Sequence, residues 1–229
     1  MLERRSLAGI AALTLALTVT TAARADEAPL PPPPPAAALS QAEMQASVRA
    51  YYGTELTTGL LFMAYGAVTA GAGGAVLTEG GDFAKGLGAS SLILGGSTFL
   101  GGIGYAVAVK IRGGYFTHLV DTDPAAFQRE ESERIAGTTS RFWLYLGSEL
   151  LETAAGIGIA AYGMAAKDDL YKGIGIGAAL QGIGLFVIDT PGAGRAARYR
   201  SDVERFRPSV SASVGGGTRP WALTLSQAF

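Results

Sequence analysis

The amino-acid sequence predicts a mainly α-helical protein in which two copies of a helical hairpin form a four-helix transmembrane bundle, followed by a C-terminal β-hairpin. Three observations predict this fold: four long apolar segments, an internal duplication, and glycines that recur every seven residues within the segments. Of the 229 residues, 33 are glycine and only 16% are charged. This composition departs from that of an average soluble domain and favours a membrane protein.

The N-terminus has the pattern of a cleavable signal peptide, which we assign to residues 1–25. Two arginines precede an apolar stretch from Leu7 to Val19, and Ala23-Arg24-Ala25 then supplies a cleavage site with small residues at both ends. We predict cleavage before Asp26 and therefore export. The paired arginines also resemble a twin-arginine export signal, so the route of export stays open.

A proline-rich linker is predicted to follow the signal peptide over residues 26–39. The prolines at 31–35 favour an extended polyproline II conformation and cannot enter a helix interior. Immediately after the linker, Ser40 and Glu43 have the spacing of a capping box, in which each side chain satisfies a free backbone amide of the other. The sequence therefore predicts that the first helix begins at this point.

Four apolar segments lie behind this cap, and each is close to the ~20 residues that a helix needs to cross a bilayer. The segments are residues 54–77, 83–111, 141–166 and 170–189.

Two of the connections between these segments are very short, which predicts antiparallel pairs. Residues 78–82 and 167–169 leave room only for tight turns. The first and second segments then form one hairpin over residues 40–111, and the third and fourth form another over residues 141–190.

An internal duplication relates the two hairpins. Residues 82–88 match residues 169–175, and the glycine and phenylalanine that follow align without a gap; residues 51–56 similarly match residues 145–150. Because each copy contains two helices, both copies would enter a membrane in the same orientation, related by an axis along the membrane normal.

Glycines within the segments recur at a spacing of seven, which keeps them on one face of a helix in a gently left-handed pair. The glycines on these predicted packing faces are Gly59, Gly66, Gly73, Gly88, Gly95, Gly102, Gly156, Gly163, Gly175 and Gly182. In water each costs roughly 0.5–1 kcal/mol relative to alanine, whereas between membrane helices small residues allow close packing. A soluble bundle stays an alternative, because the third segment carries Glu149 and Glu152.

Two polar stretches are predicted to flank the second hairpin. Residues 112–140 form a connector in which Asp123-Pro124 opens a short solvated helix. Residues 189–192, which include a Pro-Gly pair, are predicted to end the fourth helix. The basic segment that follows, residues 191–207, suits either a lipid headgroup region or an ordinary solvated helix.

The tail, residues 208–229, is predicted to form a β-hairpin. Apolar residues alternate with other residues on both sides of a glycine-rich turn at 215–220. The alternation ends at Phe229 and resembles the C-terminal insertion signal of outer-membrane β-barrel proteins, although Gln227 departs from it and the chain has too few strands for a barrel. The resemblance covers nine residues and points to the outer membrane.

No motif in the sequence predicts catalysis, a cofactor or a metal site. The chain has no cysteine and a single histidine, His118, which lies in a polar stretch. Its glycine-rich runs follow no strand and precede no lysine-serine or lysine-threonine pair, so they do not fit a nucleotide loop. A net charge of −1 also gives no basis for nucleic-acid binding. We therefore expect a protein that is not an enzyme.

Four polar residues within the apolar segments form the candidate site. Glu55 and Glu149 occupy equivalent positions in the two copies, and the second copy adds Glu152 and Gln181. Ionisable groups in apolar helices tend to face a partner or a water-filled space, which predicts a polar cluster on the pseudo-twofold axis. The alternative places both duplicated glutamates in the headgroup layer, beside a belt of aromatic residues.

The function that fits these features is a structural or interaction role in a cell-envelope membrane, with membrane lipid and either an envelope protein or a second copy of the chain as partners. An oligomeric pore or transporter subunit, with Glu55 and Glu149 in its polar path, is the second interpretation, and a soluble periplasmic bundle is the third. Export would place the basic residues on the outer side of the inner membrane, against the positive-inside rule. This conflict favours the outer membrane.

Overall fold

The computed structural model describes residues 37–208, which fold into four long α-helices. The helices are α1 (Gln41–Leu77), α2 (Asp82–Thr122), α3 (Pro124–Ala166) and α4 (Asp169–Arg205). The described residues contain no strand, only an isolated parallel bridge between Leu39 and Phe206. The predicted signal peptide and the linker up to residue 36 lie outside this range. So does the predicted C-terminal β-hairpin except for Pro208, and the structure does not support it.

The predicted capping box and the two predicted tight turns are present. The Ser40 hydroxyl accepts a hydrogen bond from the Glu43 amide at 3.3 Å, and the Glu43 carboxylate accepts one from the Ser40 amide at 2.8 Å. In the first turn Gly80 and Gly81 have φ of 74° and 75°, a region that favours glycine. The second turn begins at Lys167, whose backbone adopts the left-handed conformation with φ of 57°. The hairpins therefore pair as expected from their short connections.

The connector over residues 112–140 differs from the prediction of a polar segment with one short helix. A single residue, Asp123, separates α2 from α3, so the helices run through the whole stretch. Phe116, Val120, Phe127 and Ile135 are buried within it. Phe116 and Val120 lie four residues apart on α2, and Phe127 and Ile135 lie eight apart on α3, so each pair shares an apolar face that the surrounding charged residues obscure in the sequence.

The prediction that residues 189–192 end the fourth helix is wrong, because α4 continues through Pro191 to Arg205. A proline inside a helix removes one hydrogen bond and costs about 3 kcal/mol. The turns after it bury Ala196, Tyr199 and Val203, and this burial offsets the cost. The basic segment is therefore the packed end of a long helix.

Two regions of the bundle bury very different residues. The head, which we define as residues 41–53, 112–140 and 191–206, holds nearly all of the large buried side chains, with Met44 and Phe206 among its aromatic and aliphatic core. The hairpin region, residues 54–111 and 141–190, is packed mainly through glycine and alanine and exposes its large hydrophobic side chains. The head therefore has the core of a soluble bundle, and the hairpin region does not.

Three of the four helices, α1, α2 and α4, are long and apolar enough to cross a membrane. Of the four segments predicted to be long enough to span a membrane, three therefore lie in helices with the necessary length and apolar composition. The third helix is less apolar, which agrees with the glutamates at 149 and 152 within its second half.

The glycines predicted to lie at helix interfaces are found against neighbouring backbone. In the first hairpin, a Cβ atom built on Gly66 would lie 2.6 Å from the carbonyl oxygen of Gly95, and one on Gly73 would lie 2.7 Å from that of Gly88. In the second hairpin, a Cβ on Gly182 would lie 2.9 Å from the carbonyl oxygen of Glu149. No side chain fits at these positions without moving a helix. The remaining predicted glycines, Gly59, Gly102, Gly156, Gly163 and Gly175, are similarly close to a facing helix.

The two hairpins dock onto each other through a symmetric pair of glycines. Gly86 of α2 packs against the backbone of Leu170 and Ile174, while Gly173 of α4 packs against that of Phe83 and Leu87. Each of these residues in α4 follows its counterpart in α2 by 87 positions, which is the spacing of the repeat. The duplication therefore extends to the contact between the copies, and a pseudo-twofold axis passes between the parallel helices α2 and α4.

Candidate functional site

A cavity of about 330 Å³ lies where the head meets the hairpin region, and all four helices line it. Its walls combine aromatic rings with charged side chains. The charged residues that line it are Glu55 of α1, Arg112 of α2, Arg134 of α3, and Asp189 and Arg195 of α4. The cavity thus contains one of the four predicted site residues together with charges from the other three helices.

Glu55 is engaged by donors from two other helices. Its carboxylate accepts a hydrogen bond from Arg195 Nε at 3.2 Å and another from the Tyr105 hydroxyl. Arg195 Nη2 also donates to the Thr58 hydroxyl at 2.9 Å, and Glu55 is only 8% exposed. These contacts join α1, α2 and α4 and leave no charge of the Glu55–Arg195 pair unbalanced.

Glu149 lies in a different environment, beside a second carboxyl group. It is 8% exposed, its carboxyl is adjacent to that of Asp189, and its Oε2 atom has no hydrogen-bond partner. Asp189 shares a hydrogen bond with Glu149 and is also affected by the charge of Glu55. The duplicated glutamates therefore do not contact each other, and the residue that connects them is one that the sequence analysis assigned only to a helix end.

Gln181 and Glu152 do not complete a single cluster with the duplicated glutamates. Gln181 is 1% exposed and donates from Nε2 to the Thr98 hydroxyl of α2 at 2.7 Å. The side-chain oxygen of Gln181, Oε1, has no hydrogen-bond partner. Glu152 is partly buried and also has one unpartnered oxygen. The predicted cluster is thus a series of polar groups in which Gln181 faces α2 and Glu149 faces Asp189.

A second polar arrangement in the head was missed because the sequence placed it on a solvated helix. Arg134 donates from Nε and Nη2 to the two oxygens of the fully buried Glu131, at 2.5 and 2.6 Å. The Tyr52 hydroxyl donates to Glu131 at 3.0 Å, and the Arg134 guanidinium lies over the rings of Tyr51 and Phe116. Only the burial pattern of its neighbours could have revealed this pair, since its residues are polar in an ordinary helical spacing.

The tyrosines around this pair hold their protons strongly. Burial, together with the negative charge of Glu55, raises the pKa of Tyr51 to about 12. Burial and the Glu131 charge raise the pKa of both Tyr52 and Tyr199 well above the usual value. Burial alone would lower the pKa of Arg134, but its hydrogen bonds with Glu131 raise it. The head therefore contains a charged arginine and neutral tyrosines over the whole physiological range of pH.

Potential metal ligands do not come together in the described part of the chain: no group of three or more histidine, aspartate or glutamate side chains is arranged to hold an ion. His118 lies on an exposed face of α2.

The fold and the cavity define a class, a helical protein with three candidate membrane-spanning helices and a polar cavity at their end. Comparisons with protein families, with curated proteins and with solved structures found no match for this chain.

Proposed function

We propose that this chain is a non-enzymatic membrane protein of the cell envelope, in which the two hairpins lie in the bilayer and the head has a structural or interaction role in the adjoining aqueous phase. The observation that carries the proposal is the position of the exposed hydrophobic side chains. With one exception, Tyr115, all of the large ones lie within residues 60–111 and 143–187.

This surface is unusual for a protein in water. Val68, Ile93, Leu151 and Val187 are each between 64% and 71% exposed, and they lie on four different helices. Monomeric soluble proteins rarely expose contiguous apolar patches larger than a few hundred Å². Contact of this surface with lipid tails carries no free-energy cost, whereas its contact with water is unfavourable.

The dimensions of the hairpins support the same arrangement. From residue 56 to the end of α1 there are about 22 residues, which give a helix of ~33 Å at 1.5 Å per residue and match the hydrocarbon core of a bilayer. The turns beyond both hairpins carry charged residues, among them Glu79, Asp82, Lys167 and Asp169. These charges would lie on the far side of the membrane from the head.

Export and an outer-membrane location belong to this proposal and rest on the sequence. The signal peptide predicted at residues 1–25 supports export, and it would place the head, with most of the arginines, outside the cytoplasm. In the inner membrane this orientation would oppose the positive-inside rule, so the outer membrane is favoured. The partners that we propose are membrane lipid and either an envelope protein or a second copy of the chain.

The geometry supports a pore less well. A polar path needs side chains that face water, whereas the Glu55 carboxylate is held by Arg195 and Tyr105. A soluble bundle would leave the apolar surface of the hairpin region without a cover. We therefore retain the structural or interaction role.

Single cysteines can test the membrane arrangement, because the chain has none of its own. In intact membranes we expect Val68→Cys and Val187→Cys to be protected from a membrane-impermeant maleimide, and the exposed head variant Ser201→Cys to react. All three should react after denaturation, which serves as the control. Equal labelling of the three in the folded protein would argue for a soluble bundle, and density-gradient separation of the two membranes would test the location.

A further inference from the structure

The two copies of the repeat differ in chemistry at positions of α4 that line the cavity. Three residues of α4 that line it are Asp189, Gly192 and Arg195. Their counterparts 87 positions earlier in α2 are Gly102, Tyr105 and Ala108. The second copy therefore has a carboxylate where the first has a packing glycine, a glycine where the first has a large ring, and an arginine where the first has an alanine. Two of these differences add charge at one place.

The positive charges near the cavity are mostly occupied. Both oxygens of Glu131 hold the Arg134 guanidinium, and Arg195 is directed to Glu55 and Thr58. Arg112 lies on an exposed part of α2, at the edge of the cavity. Asp189 shares a hydrogen bond with the adjacent Glu149 carboxyl, and no arginine or lysine of the described residues donates to it.

The negative charges are not balanced in the same way. Asp189 lines the cavity and the Glu149 carboxyl lies next to it, with an oxygen that is buried and lacks a donor. Two adjacent carboxyl groups repel each other unless a proton or a cation lies between them. The positive charge of Arg195 acts on Asp189, but its Nε and Nη2 atoms donate to other acceptors. The site therefore offers free acceptors for a positively charged group.

The other walls suit an organic cation. Aromatic rings from three helices line the cavity, namely Phe62, Tyr105, Phe142 and Tyr145, in addition to Tyr51, whose ring already lies under Arg134. The face of an aromatic ring attracts a cation, and the attraction is stronger where water is excluded. A volume of about 330 Å³ is at the lower end of the range of small-molecule sites and far exceeds that of a single ion.

We propose that this cavity binds a small organic ammonium ion, whose N–H groups donate to Asp189, the lining carboxylate that no described arginine holds, and whose carbon skeleton packs against the aromatic walls. The ammonium could belong to a free amine or to the ethanolamine headgroup of a lipid, because the cavity lies at the end of the hairpin region. The site does not depend on the proposed function, since it is complete within one chain.

Three probes of matched shape test the proposal on the full chain in detergent. They are 2-phenylethylammonium, the neutral 2-phenylethanol and the anionic 3-phenylpropionate, and their binding can be measured by calorimetry and by stabilisation against heat. We expect saturable binding of the ammonium ion, and binding weaker by about tenfold or more for both analogues.

The variant Asp189→Asn should lower the affinity for the ammonium ion by about tenfold or more. The change keeps the size of the side chain and its ability to hydrogen-bond with Glu149, so the protein should fold. Asp169→Asn, the same change at the exposed start of α4, is the matched control and should bind as the unmodified chain does. Equal affinity for the three probes, tighter binding of the anion, or unchanged binding by Asp189→Asn would overturn the proposal.

Reconstitution into lipid vesicles can distinguish the two possible sources of the ammonium group. If it is a lipid headgroup, vesicles that contain phosphatidylethanolamine should compete with the probe, whereas vesicles of phosphatidylglycerol alone should not. If it is a free amine, both kinds of vesicle should leave binding of the probe unchanged. The absence of saturable binding of the ammonium probe in detergent and in both vesicles would refute the site.

Discussion

At the residue scale, the Glu55–Arg195 pair is the contact that joins the two repeats near the head. It crosses from α1 to α4, and both side chains are mostly buried, with 11% and 18% of their surfaces exposed. Removing one partner would leave the other charge in a site that has little water. The cost should lie below the ~3–5 kcal/mol of a fully buried pair, because the cavity gives both groups some access to solvent.

A double-mutant cycle can measure this contact. We expect Glu55→Gln and Arg195→Met each to destabilise the protein and the double variant to recover part of the loss, with a coupling energy of about 0.5–3 kcal/mol. The cycle of Glu55→Gln with Lys85→Met at the distant turn should be additive within ~0.3–0.5 kcal/mol. Additivity in both cycles, from thermal unfolding in detergent, would show that Glu55 and Arg195 do not interact.

The predictability of the site also depends on individual residues. Glu55 and Glu149 stood out because charges in apolar helices are costly and because they recur in the two copies. Asp189 and Arg195 did not stand out, because the Pro-Gly pair between them indicates a helix end in the sequence. The helix continues past this pair only because of tertiary contacts that the sequence does not show. Aligning the repeats over their full length would have shown an aspartate in the place of Gly102, which is the signal that the sequence offered for this residue.

At the scale of the helices, glycine determines which faces meet. The seven-residue spacing of the glycines predicted which helix faces pack against each other within each hairpin, because a helical face repeats at about that interval. The contact between the hairpins uses Gly86 and Gly173, which belong to the repeated motif but not to the seven-residue series. A sequence reveals which glycines share a face of one helix, whereas the choice of a second face for the other hairpin depends on how the whole bundle packs.

Two neighbouring glycines of α2 provide a matched test of this packing. A Cβ atom on Gly95 would lie 2.5 Å from the Ala70 amide nitrogen, whereas one on Gly96 would have no atom within 4 Å. Gly95→Leu should therefore force α1 and α2 apart and cost about 1–3 kcal/mol. Gly96→Leu should be neutral or stabilising, since it adds a side chain where there is open space. Similar unfolding midpoints for the two variants would contradict the packing.

At the scale of the whole molecule, the head and the hairpin region are held together by different forces. The head buries aromatic and aliphatic side chains around a charged arginine, as a soluble bundle does. The hairpin region depends on close backbone contact and on whatever covers its outer surface. Changes in the aqueous phase should therefore affect the head first.

Alkaline pH should unfold the head before the hairpins. Burial raises the pKa of Tyr51 to about 12 and that of Tyr52 and Tyr199 further, whereas in the unfolded chain each titrates near ~10. Their contribution to stability is fully present below pH ~10 and falls above it, by up to about 1.4 kcal/mol per pH unit for each tyrosine that stays protonated in the fold. Circular dichroism should show partial loss of helix in this range.

Replacing one of these tyrosines distinguishes this cause from general alkaline damage. Tyr52→Phe cannot ionise, so it should flatten the dependence of stability on pH above ~10, even if loss of its hydrogen bond lowers stability at neutral pH. Tyr162→Phe, at an exposed position in the hairpin region, should leave the dependence unchanged. The same slope in both variants would exclude titration of Tyr52 as the cause.

The divergence of the two copies has a consequence for the evolution of such a bundle. In a symmetric dimer of identical hairpins, every substitution occurs in both subunits. An aspartate in place of a packing glycine would therefore appear on both sides of the axis. Within a single chain the copies vary independently, and Gly102 can keep its interface while Asp189 abandons that role. Covalent linkage thus allows one copy to conserve the architecture while the other acquires an asymmetric chemistry that a symmetric dimer cannot encode.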